Sequence, residues 1–204
     1  MRHGAWSMLG AVGVLLLTSG CVAIEAGHEG VMVEQPFFFG HGGVDPAPSK
    51  TGRVWVAPTT KVIEVDVRPL QYSEHFDIIS AENAPVSFDA FMIANVVESR
   101  SPELISRYGP NWYQNNVKEA FRTFVREEVQ RYPLFQLTTD PTTRTKLQDA
   151  IAREVQNKLI DKQNMPIRLN RVVVGSILPP KGVVEQTTQT IVQEQRKITM
   201  VDGT

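Results

Sequence analysis

The chain has 204 residues, 42% of them apolar and 21% charged, which is enough for one substantial core and marginal for two. Its 21 basic and 22 acidic side chains give a net charge of −1 and are spread rather than blocked, so no field of either sign invites nucleic acid as a partner. A single cysteine, Cys21, excludes an intramolecular disulfide.

The chain opens with Arg2 and His3, and residues 4–24 then carry no charged side chain. Met8–Leu17 is mostly apolar, and Leu17-Thr18-Ser19-Gly20 leads into Cys21 with small residues. A lone thiol is a buried structural group, a catalytic nucleophile or a lipid-attachment site, and these surroundings favour the last. A short apolar core followed by small residues is the pattern of a secretory signal. The stretch resembles the lipobox of bacterial lipoproteins, with Thr18 where leucine is commonest. That resemblance implies a signal peptide over 1–20 and a covalent lipid on Cys21, with 21–27 as the anchor and linker. Alternatively, residues 4–24 stay as an uncleaved anchor, just long enough to span ~30 Å of hydrocarbon. Both readings hold Arg2 inside and place the rest of the chain on the extracytoplasmic (periplasmic) face. Val22 follows the cysteine, not the aspartate that marks inner-membrane retention in enteric lipoproteins, and the choice of inner or outer membrane stays open.

Gly30–Gln35 is a short alternating strand candidate, and Pro36 introduces Phe37-Phe38-Phe39. The glycine- and proline-rich residues 40–52 read as a loop that matches no phosphate-binding fingerprint. Three consecutive phenylalanines cannot all face one core from a strand. They are either core residues beneath the loop or a membrane-proximal tip. Arg53–Val56 and Lys61–Val67 flank Ala57-Pro58-Thr59-Thr60 and predict a hairpin. Gln71–Ser80 continues as a strand, and Val86–Val97 places Val86, Phe88, Ala90, Met92, Ala94 and Val96 on one face. Together these runs predict an antiparallel meander.

Ser101-Pro102 signals a helix start, with the serine as cap, and Gly109-Pro110 a stop. A longer helix is expected from about Trp112 to Arg131, with Val117, Phe121, Val125 and Val129 on one stripe. Asp140-Pro141 starts a third, on which Leu147, Ile151, Val155 and Leu159 repeat at four-residue spacing. Met165–Leu178 reads as a strand, stopped by Pro179-Pro180. Val183–Met200 reads as a last helix whose Val184, Ile191 and Ile198 lie seven apart, with polar Thr187 and Glu194 between them. Such a seam makes a poor coiled coil alone but can pack between identical neighbours.

The stretches Gly27–Val31, Ser80-Ala81-Glu82-Asn83-Ala84-Pro85-Val86-Ser87-Phe88-Asp89-Ala90 and Met165-Pro166-Ile167 to Pro179-Pro180 resemble, in this order, parts of the SPFH domain. This is the band 7 group of stomatin, prohibitin, flotillin and HflK/HflC. The resemblance covers nearly all of the chain after Cys21. It implies an α+β fold, an antiparallel curved sheet with packed helices over 28–180, then a C-terminal helix and tail over 181–204. It further implies a non-enzymatic scaffold that assembles side by side into membrane-attached rings or cages. Such assemblies organise lipid or enclose membrane proteins, and some regulate a membrane protease. An acyl anchor in place of a transmembrane or hairpin segment departs from the family's habit. Unless the chain is a fragment, so does the missing long coiled coil, which leaves a low ring or smaller oligomer as the expectation.

No catalytic constellation is legible. His3, His28, His41 and His75 fall in separate segments without metal-ligand spacing, so no metal is expected. His75 and Asp77 share a strand face, yet no nucleophile or oxyanion donor accompanies them. Arg122, Arg126, Glu127, Glu128 and Arg131 form a charged helix face, expected to be solvated or turned to a neighbouring copy. The expected partners are membrane lipid, further copies of the chain and a membrane protease or other membrane protein. No cofactor beyond the lipid on Cys21 is expected. The alternatives to the ring scaffold are a lipoprotein adaptor, acting as a small oligomer on one envelope partner, and a lipid-anchored hydrolase.

Overall fold

The computed structural model describes residues 20–38, 42–48 and 51–178. Two compact units are formed. One takes the described residues up to Leu70 with Ala94–Glu119 and Leu159–Asn170, and the other takes Gln71–Ile93, Ala120–Lys158 and the described residues from Arg171.

In the first unit β1 (Gly20–Ile24) pairs antiparallel with β4 (Gly52–Val56). A second sheet has the order β3-β2-β5, from β3 (Gly43–Val44), β2 (His28–Glu34) and β5 (Thr60–Asp66). The turn at Ala57–Thr60 forms, with the Thr60 amide donating to the Ala57 carbonyl at 2.9 Å. The predicted hairpin does not, because β4 and β5 choose different partners, β1 and β2. Alternation tells which face of a strand is buried but not which strand lies beside it. β1 arises within the stretch read as signal and linker, and β3 within the predicted loop. Gly30 is required by close approach, since a Cβ there would collide with the Ile24 side chain of β1 and crowd Val62.

Helix α1 (Ser101–Tyr108) belongs to this unit and ends at Gly109, whose φ of 75° suits a residue without Cβ. Its N-cap is Arg100, not Ser101, which is the first helical residue and fully buried. A single π-turn, Tyr113–Val117, leads into α2 (Lys118–Val129). Val31, Leu104 and Val117 are fully buried, each contributing about 2 kcal/mol of burial.

The second unit holds most of a sheet ordered β6-β7-β8, from β6 (Leu70–Ile79), β7 (Pro85–Val96) and β8 (Ile167–Val174). The last residues of β7 and the first of β8 count with the first unit. The expected meander is thus restricted to β6 and β7, with β5 in the other sheet. β7 buries the six residues that alternation assigned to its inner face, from Val86 to Val96. Phe76 stacks on Phe88 with centroids 5.3 Å apart and meets Phe121 of α2 edge-on at 6.4 Å. The short α3 (Leu134–Thr139), not foreseen in the sequence, inserts Leu137 into the core. α4 (Pro141–Glu154) begins as expected, with Asp140 as N-cap accepting the Thr142 amide at 2.9 Å. It runs into a second π-turn, Val155–Asp161. Both helical stripes are buried, which together with the sheets makes the fold α+β. The expected C-terminal helix, with Val184, Ile191 and Ile198, lies outside the described residues, as do His3 and His41.

Candidate functional site

Cys21 is an exposed free thiol in β1, directly opposite Trp55 of β4. Cross-strand partners in an antiparallel pair project to the same face, and successive residues to opposite faces. Cys21 and Ala23 therefore share a face with Trp55 and Arg53, and all four are exposed. The reverse face carries Val22, Ile24, Val54 and Val56, which are buried or half-buried. Trp55 is 74% exposed, an unusual position for an indole on a strand. In the bend after β2, Phe37 and Phe38 are 78% and 90% exposed, so neither packs in a core beneath the loop. Phe39 lies outside the described residues.

A polar cluster in the first unit centres on Glu29, a buried carboxylate of β2. One oxygen accepts the Ser99 amide at 2.6 Å and the other the Ser101 hydroxyl at 2.5 Å. Ser99 has a φ of 66°, a left-handed conformation that this bond helps to hold. Beside it opens a cleft of about 290 Å³, lined by Gly27, His28, Glu29, Thr51, Val67, Glu98 and Ser99. Nε2 of His28 lies 3.8 Å from Asp66, whose carboxylate is gripped by Arg68 through two side-chain bonds at 2.7 and 2.9 Å. That grip holds the Asp66 carboxyl below the usual carboxylate range. Both oxygens of Glu29 already accept from the protein, so the cleft has a structural polar lining.

His75 is the meeting point of a cluster in the second unit that the sequence did not reveal. Its Nδ1 lies 2.8 Å from Asp89, and its Nε2 lies 3.4 Å from the Ser87 hydroxyl and 3.5 Å from Asp77. The hydrogen bond to Asp89 pushes the imidazole above its ordinary pKa, with Asp77 adding to the effect. The signal was present, because His75 and Asp77 alternate outward on β6 as Asp89 does on β7, but the register that joins them was not. The order Ser87–His75–Asp89 is that of a nucleophile, base and orienting acid. Three backbone amides near it are already engaged. The Ser87 and Leu178 amides bond each other's carbonyls, and the Gly175 amide donates to the Asp89 backbone carbonyl at 2.8 Å. His75 and Asp89 are more than half exposed on an open strand face, where water competes with every such contact.

The charged face of α2 is not uniformly solvated. Arg122 reaches Glu74 on the buried face of β6 at 3.1 Å and covers the Phe76 ring at 5.1 Å. Glu128 is buried and paired with Arg131 at 2.7 Å. Among the described residues no group of His, Cys, Asp and Glu is placed to hold a metal ion. Among them, too, no helix is long and apolar enough to cross a membrane.

In comparison with protein-family models, residues 22–202 match the SPFH domain / Band 7 family. The chain belongs to the SPFH (band 7) family. Members of this family associate with membranes and typically oligomerise. A search of curated proteins returned no match. In this SPFH domain the matched tract begins at Val22, one residue after the exposed Cys21.

Proposed function

We propose that the protein is a non-enzymatic membrane scaffold. An acyl chain on Cys21 holds it on the extracytoplasmic face, and copies of the chain assemble into a ring-like homo-oligomer. The ring organises the membrane or a partner membrane protein, a membrane protease being one such class. The observation that carries this reading is the junction at Cys21. An uncharged apolar stretch ends there, the cysteine is exposed, and the SPFH tract starts at the next residue. Phe37 and Phe38, exposed after β2, serve as a second membrane-proximal element, with Phe39 beside them in sequence. Val184, Ile191 and Ile198 supply the contacts between neighbouring copies.

Gentle detergent extraction of the full-length protein, followed by light scattering and imaging, tests the assembly. A large homo-oligomer is expected, and a monomer without self-crosslinks overturns the ring. A one-to-one complex with a partner would move the protein to the adaptor class. Fatty-acid labelling that persists after Cys21→Ser would overturn the acyl anchor.

The hydrolase alternative has one observation in its favour, the Ser87–His75–Asp89 relay. The Ser87, Leu178 and Gly175 amides already donate elsewhere, so none of the three is free to stabilise the negative charge that develops on the carbonyl oxygen during acyl transfer. A fluorophosphonate probe is therefore expected to leave Ser87 unlabelled, and labelling abolished by Ser87→Ala would establish the hydrolase instead.

A further inference from the structure

The β1–β4 ribbon carries an aromatic and a cation on the face that bears Cys21. Trp55 is opposite Cys21, at the ~5 Å Cα separation of a direct antiparallel pair. Arg53 is two residues away on the same strand and the same face, about 7 Å along it. Among the described residues nothing asks for a largely exposed indole here, since the opposite face of the ribbon supplies the packing through Val22, Ile24 and Val54.

The occupant of this face follows from the stretch that precedes β1 in the sequence. Residues 4–19 are uncharged and mostly apolar, and they run without any intervening linker into Gly20, the first residue of β1. With residues 20–24 taken up by β1, residues 4–19 are too short for the uncleaved span expected over 4–24. Whether they insert only part-way or are replaced by acyl chains on Cys21, the lipid surface lies within a residue or two of the start of the strand. At ~3.3 Å per residue, Trp55 then sits within a few ångströms of the same surface. Indole is the side chain that partitions best to the boundary between headgroups and acyl chains, and a guanidinium beside it meets phosphate.

We infer that Trp55 and Arg53 form an interfacial anchor, Trp55 seated at the headgroup–acyl boundary and Arg53 on lipid phosphate, so that the β1–β4 ribbon lies against the bilayer. The inference rests on the membrane attachment at residue 21 proposed above. It adds an attachment point beside residue 21 and the Phe37–Phe38 tip, which helps to turn a tethered domain into an oriented one. Every copy in an assembly then presents the same face to lipid. Because the anchor and the ribbon are joined without a spacer, this contact forms at high effective concentration and needs little intrinsic affinity.

The test uses the full-length protein in vesicles of phosphatidylcholine and phosphatidylglycerol. The chain has three tryptophans, and Trp112 is buried. In a Trp6→Phe background, the difference between the protein and its Trp55→Phe variant isolates emission from Trp55. A Trp55 signal that shifts to shorter wavelength on reconstitution, and is quenched when the lipid acyl chains are brominated, is the expected result. Arg53→Ala should reduce that quenching in vesicles containing phosphatidylglycerol. If the protein floats with the vesicles while Trp55 stays unquenched and open to iodide, the interfacial anchor is wrong and the attachment at residue 21 stands. A Trp55 emission that is shifted but insensitive to bromine, and that varies with protein density, would place a neighbouring copy on this face and overturn the inference. Failure to float with vesicles would remove both the anchor and the attachment.

Discussion

Arg122 of α2 neutralises Glu74, a carboxylate that the alternation of β6 turns into the core beside Phe76. The pair is separated by 3.1 Å, and Arg122 also donates to the His75 carbonyl at 3.2 Å. Removing Arg122 takes away the guanidinium that compensates a buried carboxylate, whereas replacing both with apolar or neutral groups costs far less. Arg122→Ala should therefore lower stability by about 3 kcal/mol, and adding Glu74→Gln should recover a large part of the loss. Urea unfolding of the two variants checks this; an unchanged midpoint for Arg122→Ala would refute it.

Glu29 holds the segment before α1 through the Ser99 amide and the Ser101 hydroxyl. Glu29→Ala leaves the buried Ser101 hydroxyl without its acceptor and releases the Ser99 amide, and should cost about 2 kcal/mol. Hydrogen exchange gives the local readout. The Ser99 amide should lose protection in Glu29→Ala, with β6 and β7 amides changing only as far as global stability does.

The imidazole of His75 has a raised pKa because Asp89, and then Asp77, favour its charged form. A group with a higher pKa folded than unfolded stabilises the fold below its unfolded value, and that contribution disappears as pH rises through the folded value. An NMR titration of His75 should accordingly give a midpoint above 6.5. Asp89→Asn should bring the midpoint down, and no such change would show that the bond is not formed in solution.

Asp140 caps α4 by accepting the Thr143 hydroxyl and the Thr142 amide, which holds its carboxyl below the ordinary 3.8. The sign is opposite to that of His75. The stabilisation is present above the unfolded pKa and is lost as pH falls through the lower folded value. Asp140→Ala should thus lower the thermal midpoint near neutral pH and make little difference in strong acid. Asp140→Asn, which keeps an acceptor, should behave closer to the parent protein.

Much of this architecture was legible because it depends on spacing along the chain. Val86 to Val96 alternate because a strand repeats every two residues, and all six inner positions are buried as that period requires. Phe121, Val125 and Val129, like Leu147, Ile151 and Val155, lie on one stripe because a helix nearly repeats every four. Asp140-Pro141 marks a helix start through local hydrogen bonding and a preset φ, which need no tertiary partner. Ser101 carried the same signal, yet its hydroxyl turns to Glu29 from a distant strand, so a tertiary bond displaced the local cap.

Cys21 shows where that local legibility ends. The chain by itself determined that an uncharged apolar stretch closes on a lone cysteine and that an SPFH domain follows. It also determined the two periodicities that build the core. Only the tertiary structure decided that Cys21 lies in a strand opposite Trp55, that β2 rather than β4 pairs with β5, and that His75 meets both Ser87 and Asp89. The physical reason is common to all three. Periodicity along the backbone sets the face to which a side chain points, but register between strands distant in sequence sets what it meets there, and register is chosen by the packing of the whole fold.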